Sequence, residues 1–135
     1  MPRPGRTKPV SAGQVRSYAA KAEEFAEAAV SDLAAGRNIA ATSLAIHAGI
    51  NSADAVCGAR LGKRAAGEDH DQVFVLLRQA GPDGAQVERE LRRLVPLKTK
   101  AEYDPDGITP SVATKAIERA QRCAAVARRV ASTVR

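Results

Sequence analysis

The chain has no tryptophan, two tyrosines and two phenylalanines, so aromatic residues make up only 3% of its 135 positions. A core organised around large rings is excluded, and few platforms remain on which nucleic-acid bases could stack. Its two cysteines, Cys57 and Cys123, stand at no zinc or redox spacing. Each sits among Ala and Val, where a reduced thiol behaves as a small apolar residue. No second His or Cys lies at ligand spacing from His47, so neither a metal nor a cofactor is expected. No apolar run approaches the roughly 20 residues that span a bilayer. The leader MPRPGRTKPV lacks the apolar centre of a secretory signal. The expectation is a soluble, cytoplasmic protein with no membrane contact.

What the chain does have is alanine, in runs, and Ala orders into a helix without losing side-chain entropy. Its length suits one domain with one core. Residues 1–10 read as a disordered, basic, Pro-rich leader and residues 11–135 as an all-α domain, a single up-and-down bundle of about five helices. Ser11 and Gln14 form a capping-box pattern that opens the first helix, which Gly36 closes. Asn38 is placed to cap a second helix over 39–61. Asp69 starts a short third helix that ends near Gln79. The turn Ala80-Gly-Pro-Asp-Gly84 follows, with Asp83 and Gln86 as caps of a fourth helix that Pro96 kinks. Asp104-Pro-Asp-Gly107 is a turn, and Thr109-Pro110 caps and begins a last helix reaching about Val134. No segment shows convincing strand alternation.

Charge is uneven along the chain, whose formal net charge is +6. From Ile108 to Arg135 six basic residues face Glu118 alone, while Val10 to Gly36 is net acidic. Lys115, Arg119, Arg122 and Arg129 recur at helical offsets and form a basic stripe. Such a stripe can follow a phosphate backbone by counterion release, or it can be a solvated face that matches the acidic first helix. In the second helix Ser43, His47, Asn51 and Asp54 share one face. That polar line either satisfies neighbouring groups or lines a cleft with the segment KTKAEYDP, residues 98–105, or with a second subunit. In that segment Lys98, Tyr103 and Asp104 are the candidate ligand residues. A plainer reading makes it a helix end whose lysines meet the macrodipole and whose Tyr103 ring packs on the bundle.

The stretches SLAIHAGINSADAVCGARLG, GEDHDQVFVLLRQAG and LKTKAEYDPDGITPSVATKAIERAQR together resemble the HEPN domain superfamily of small helical bundles. The resemblance spans roughly residues 15–130, and the Ala-Glu-Tyr-Asp-Pro turn is its most specific piece. It implies a homodimer in a prokaryotic toxin–antitoxin, defence or nucleotide-handling setting, with an antitoxin or a nucleotidyltransferase-type protein as partner and with RNA or nucleotide as ligand. Many members resemble metal-independent endoribonucleases carrying an Arg, four to six residues and a His. Here Lys98 and Tyr103 hold those places. His exchanges protons near neutral pH, whereas an unperturbed Tyr titrates near pH 10, and Lys lacks the planar fork of Arg. The expected function is therefore a non-catalytic binding module. Arg64-Ala-Ala-Gly-Glu-Asp-His70 supplies a displaced Arg/His pair, so the alternative is an endoribonuclease in which Arg64 or Arg60 steadies phosphate and His70 moves the proton.

Overall fold

A computed structural model describes residues 5–67 and 70–135. Among them the chain forms six helices and two short strands, an all-α bundle with a small ribbon at one edge. The order is β1 (Thr7–Pro9), α1 (Ala12–Ala34), α2 (Asn38–Leu61), β2 (Lys63–Ala65), α3 (His70–Gln79), α4 (Gly81–Leu94), α5 (Leu97–Tyr103) and α6 (Pro110–Ala131).

Alanine sets the packing. α2 lies against α1, α4 and α6, and its buried surface is mostly small: Ala41, Ala45, Ala48, Gly49, Ala53 and Val56. Small side chains let helix axes approach closely, so the larger volume comes from Leu76, Leu77, Leu91 and Leu94 on α3 and α4. A second, smaller cluster of Val10, Val15, Ala19, Ala55, Ala127 and Ala131 sits where the first residues meet α1, α2 and α6.

The caps of α1 and α6 are those the sequence predicts. Ser11 Oγ accepts from the Gln14 amide at 3.2 Å while Gln14 Oε1 accepts from the Ser11 amide at 2.9 Å. Thr109 Oγ1 accepts from the Val112 amide, with Pro110 as the first helical residue. Three expected features differ. Asn38 is the first residue of α2 instead of its cap, and its buried Oδ1 has no hydrogen-bond partner among the described residues. The turn at 80–84 shrinks to a corner at Gly81, φ 76°, and α4 begins there, so Asp83 falls inside its first turn and is free to bind arginines. Pro96 breaks the fourth helix instead of kinking it. It is the N-cap of α5, a separate element of about two turns. The cap expected at Asp69 lies outside the described residues.

The leader is the main correction. Thr7–Pro9 is not disordered but pairs antiparallel with Lys63–Ala65, with Lys8 opposite Arg64. Flanking bonds extend the ribbon, from the Val10 amide to the Gly62 carbonyl and from the Ala66 amide to the Arg6 carbonyl, each at 2.9 Å. Val10 fastens it, being buried against Gly58, where an added Cβ would come within 2.6 Å of Val10 Cγ1. Residues 1–4 of the expected leader lie outside the described residues.

Candidate functional site: a cleft between the ribbon and α5

The ribbon, the start of α3, the α4–α5 junction and one side of α2 enclose a cleft of about 610 Å³. Its charged and polar lining is Asp54, Arg64, His70, Lys98, Thr99 and Tyr103. Five candidates scattered over fifty positions of sequence thus share one concavity. Ile50, Val73 and Val95 supply apolar wall.

Each element places its residue for a local reason. Gly62, at φ 71°, ends α2 in the left-handed conformation and turns the chain into β2, whose pairing with β1 fixes the Arg64 backbone. The Arg64 guanidinium donates to the Ala65 carbonyl at 3.0 Å and lies 5.6 Å from the centre of the Tyr18 ring. His70 is the first residue of α3. Lys98 enters with α5, whose offset after Pro96 turns it toward α2. Neither Arg64 nor Lys98 forms an ion pair among the described residues. The Lys98–Glu102 pairing that their spacing allows does not form, and both side chains border a small recess beside Ser43 and His47 instead.

Asp54 is the most perturbed acid. Burial raises its carboxyl from 3.8 to about 6, against the opposing pull of Arg64 first and Lys21 second. It takes no hydrogen bond and forms no ion pair among the described residues. The same charge adds to burial in pushing the neighbouring Cys57 thiol up to about 12. That thiol and Cys123, pushed to a similar value chiefly by burial, stay protonated at neutral pH.

Several candidate residues stand elsewhere. His47 is exposed and tilts against Phe25 at a ring separation of 5.6 Å. Asn51 is buried and donates to the His47 carbonyl at 2.8 Å, so its amide serves its own helix. Asp104 accepts from the Asp106 amide at 2.9 Å and shapes the turn after α5. Tyr103 does not pack its ring on the bundle: it is 76% exposed at the cleft rim.

The basic stripe of α6 is largely neutralised. Glu90 on α4, only 8% exposed, accepts from Arg119 at 2.9 Å and from Arg122. Burial alone would raise Glu90, but the two arginines outweigh it and hold the carboxyl below its usual range. Asp83 accepts from Arg60 and Arg129, both at 2.7 Å, and these bonds lower its pKa. Arg60 is therefore tied down outside the cleft. Of the stripe, Lys115 alone has no acidic partner among the described residues. Glu90 and Asp83 are residues that reading the sequence missed. Their signal is faint, because an acid that will clamp distant arginines looks like any helix-surface acid.

No group of three His, Cys, Asp or Glu side chains among the described residues is placed to hold a metal, and no described helix is long and apolar enough to cross a membrane. No protein-family model and no curated protein matches the chain.

Proposed function

We propose that this chain is an HEPN-like binding module whose cleft holds the phosphate of RNA or of a nucleotide. The observation that carries the reading is the contrast in partners. Among the described residues Arg64 and Lys98 line the cleft without an ion pair, Arg64 acting on the Asp54 carboxyl without a hydrogen bond to it, whereas Arg60, Arg119, Arg122, Arg128 and Arg129 are all in ion pairs. A cation held in no ion pair keeps its capacity for a phosphate oxygen. The family resemblance adds a homodimer acting in the cytoplasm within a toxin–antitoxin or defence system, beside an antitoxin or nucleotidyltransferase-type protein. Titrating the chain with short single-stranded RNA and with ribose 5-phosphate tests the reading. Binding should weaken as salt rises and fall about tenfold in Arg64→Ala or Lys98→Ala. Full affinity in the Arg64→Ala/Lys98→Ala double variant would refute it.

One observation favours the second reading, a metal-independent endoribonuclease: Arg64 and His70 border the same cleft. In that reaction the 2′-hydroxyl attacks the adjacent phosphorus and His70 accepts its proton. The P–O5′ bond breaks, the leaving oxygen takes a proton, and a 2′,3′-cyclic phosphate and a 5′-hydroxyl result, while Arg64 balances the phosphorane charge. Incubating an RNA and tRNA pool with chelator decides the matter. Cleavage that disappears in His70→Ala and spares DNA would establish the enzyme. No cleavage by folded wild type leaves the binding module.

A further inference from the structure

We infer that the cleft takes a nucleotide whose base is unpaired, and that Tyr103 is the platform on which that base stacks. The inference rests on the phosphate-binding reading above and extends it from the anion to the group attached to it.

The chain holds four aromatic rings, two of Tyr and two of Phe. Three of them have partners. The Arg64 guanidinium lies 5.6 Å from the centre of the Tyr18 ring, and Phe25 tilts against His47. Phe74 is buried, with the Arg92 guanidinium 4.3 Å from its ring centre. Tyr103 alone has neither ring nor cation against it among the described residues. At 76% it is also more exposed than Ile39, Val30 and Val75, the other large apolar side chains that face water. An uncovered ring keeps apolar area in water and gains from any flat surface that comes to rest on it.

Its position makes that surface a base. Tyr103 is the last residue of α5, one turn beyond Thr99 on the same side of the helix, and both line the cleft with Arg64 and Lys98. Ring and cations therefore border one concavity. Its volume of about 610 Å³ falls within the range of about 300–1,000 Å³ usual for small-molecule sites. Phosphate held by the two cations positions a ligand, and what hangs from the phosphate meets the rim. A phosphosugar offers no flat face there, so the ring adds nothing to its binding. A nucleotide does offer one, and because every base has a π-face the preference tolerates any base. In a duplex each internal base is already stacked on both sides and paired at its edge. Only an unpaired base can be splayed onto a side chain.

The test is calorimetric titration of the full chain at pH 7.5 with AMP, UMP, ribose 5-phosphate and a short RNA, the last as single strand and as duplex. Wild type is compared with Tyr103→Ala and Tyr103→Phe. The ring covers little of the bundle, so neither variant endangers the fold. Wild type should bind both nucleotides at least about tenfold more tightly than ribose 5-phosphate. It should likewise favour the single strand over the duplex. Tyr103→Ala should bring the nucleotides within about twofold of ribose 5-phosphate, whose own affinity stays as it was. Tyr103→Phe should keep the wild-type preference, because the ring carries it and the hydroxyl does not. A single strand that binds more tightly than AMP supports the stacked base and identifies an RNA chain as its source. One that binds no more tightly supports it equally and identifies a free nucleotide. Equal affinity of wild type for AMP and ribose 5-phosphate overturns the inference. So does a preference that survives in Tyr103→Ala, or a duplex that binds as well as the single strand. In each of these cases, retained binding of ribose 5-phosphate leaves the phosphate reading standing. Failure of wild type to bind any of the probes overturns both.

Discussion

The α4–α6 face and the cleft carry the same kinds of side chain and end in opposite electrostatic states. On the first, three arginines of α6 reach acids on α4: Arg119 and Arg122 meet Glu90, and Arg129 meets Asp83. Those acids are shielded from water, so the attraction is screened less than on an open surface and ties helices together. In the cleft, Arg64, Lys98 and Asp54 form no ion pair among the described residues, although Arg64 acts on the Asp54 carboxyl. The first region uses charge for architecture. The second leaves its charges outside ion pairs, the feature on which the proposed phosphate binding rests, at a cost in stability.

The comparison can be broken most forcefully at Glu90. Glu90→Ala leaves two guanidiniums without their anion and should cost about 2 kcal/mol, less than a fully buried pair because Arg122 remains half exposed. Urea denaturation measures the loss. The same variant should gain salt-sensitive affinity for RNA, because the α6 stripe is released.

Asp54 should show the reverse sign. Its carboxyl is raised in the folded state, so the chain is less stable above about pH 6 and recovers as pH falls through that value toward the unfolded value of 3.8. Asp54→Asn should therefore be stabilising at pH 7.5, by roughly 3 kcal/mol at most. The gain should vanish near pH 4, where the wild-type group is neutral too. Thermal melts of both proteins at the two pH values decide it.

A third contrast separates function from stability. Lys98→Ala should lower ribose 5-phosphate affinity about tenfold and leave the melting temperature nearly unchanged. Arg119→Ala should do the opposite in the same pair of assays. The smallest effect belongs to the exposed pair of Arg128 and Glu23, 3.0 Å apart with side chains 68% and 43% exposed. Glu23→Gln should shift stability by less than about 0.5 kcal/mol in a chemical melt.

Much of the site was legible as a set of residues and little of it as a place. Arg64 and His70 stand out by their spacing, Lys98 and Tyr103 by the turn they precede, and Asp54 by its helix face. Nothing local says that these converge. Convergence depends on β1 reaching a partner more than fifty positions away, and a three-residue strand leaves no alternation to read. It depends also on Pro96 separating α5 from α4, where the sequence permits either a kink or a break.

What the sequence by itself determined is the helical character, through alanine and the apolar spacing. It determined as well those ends where side chain and backbone meet within four residues, at Ser11, Gly36 and Thr109. Such choices rest on local hydrogen bonds and φ preferences and need no knowledge of the rest of the chain. Tertiary structure alone decided which charges are neutralised and which remain open. A carboxylate and a guanidinium pair, or fail to, according to distance and dielectric in the folded chain, and neither quantity exists until the helices have packed.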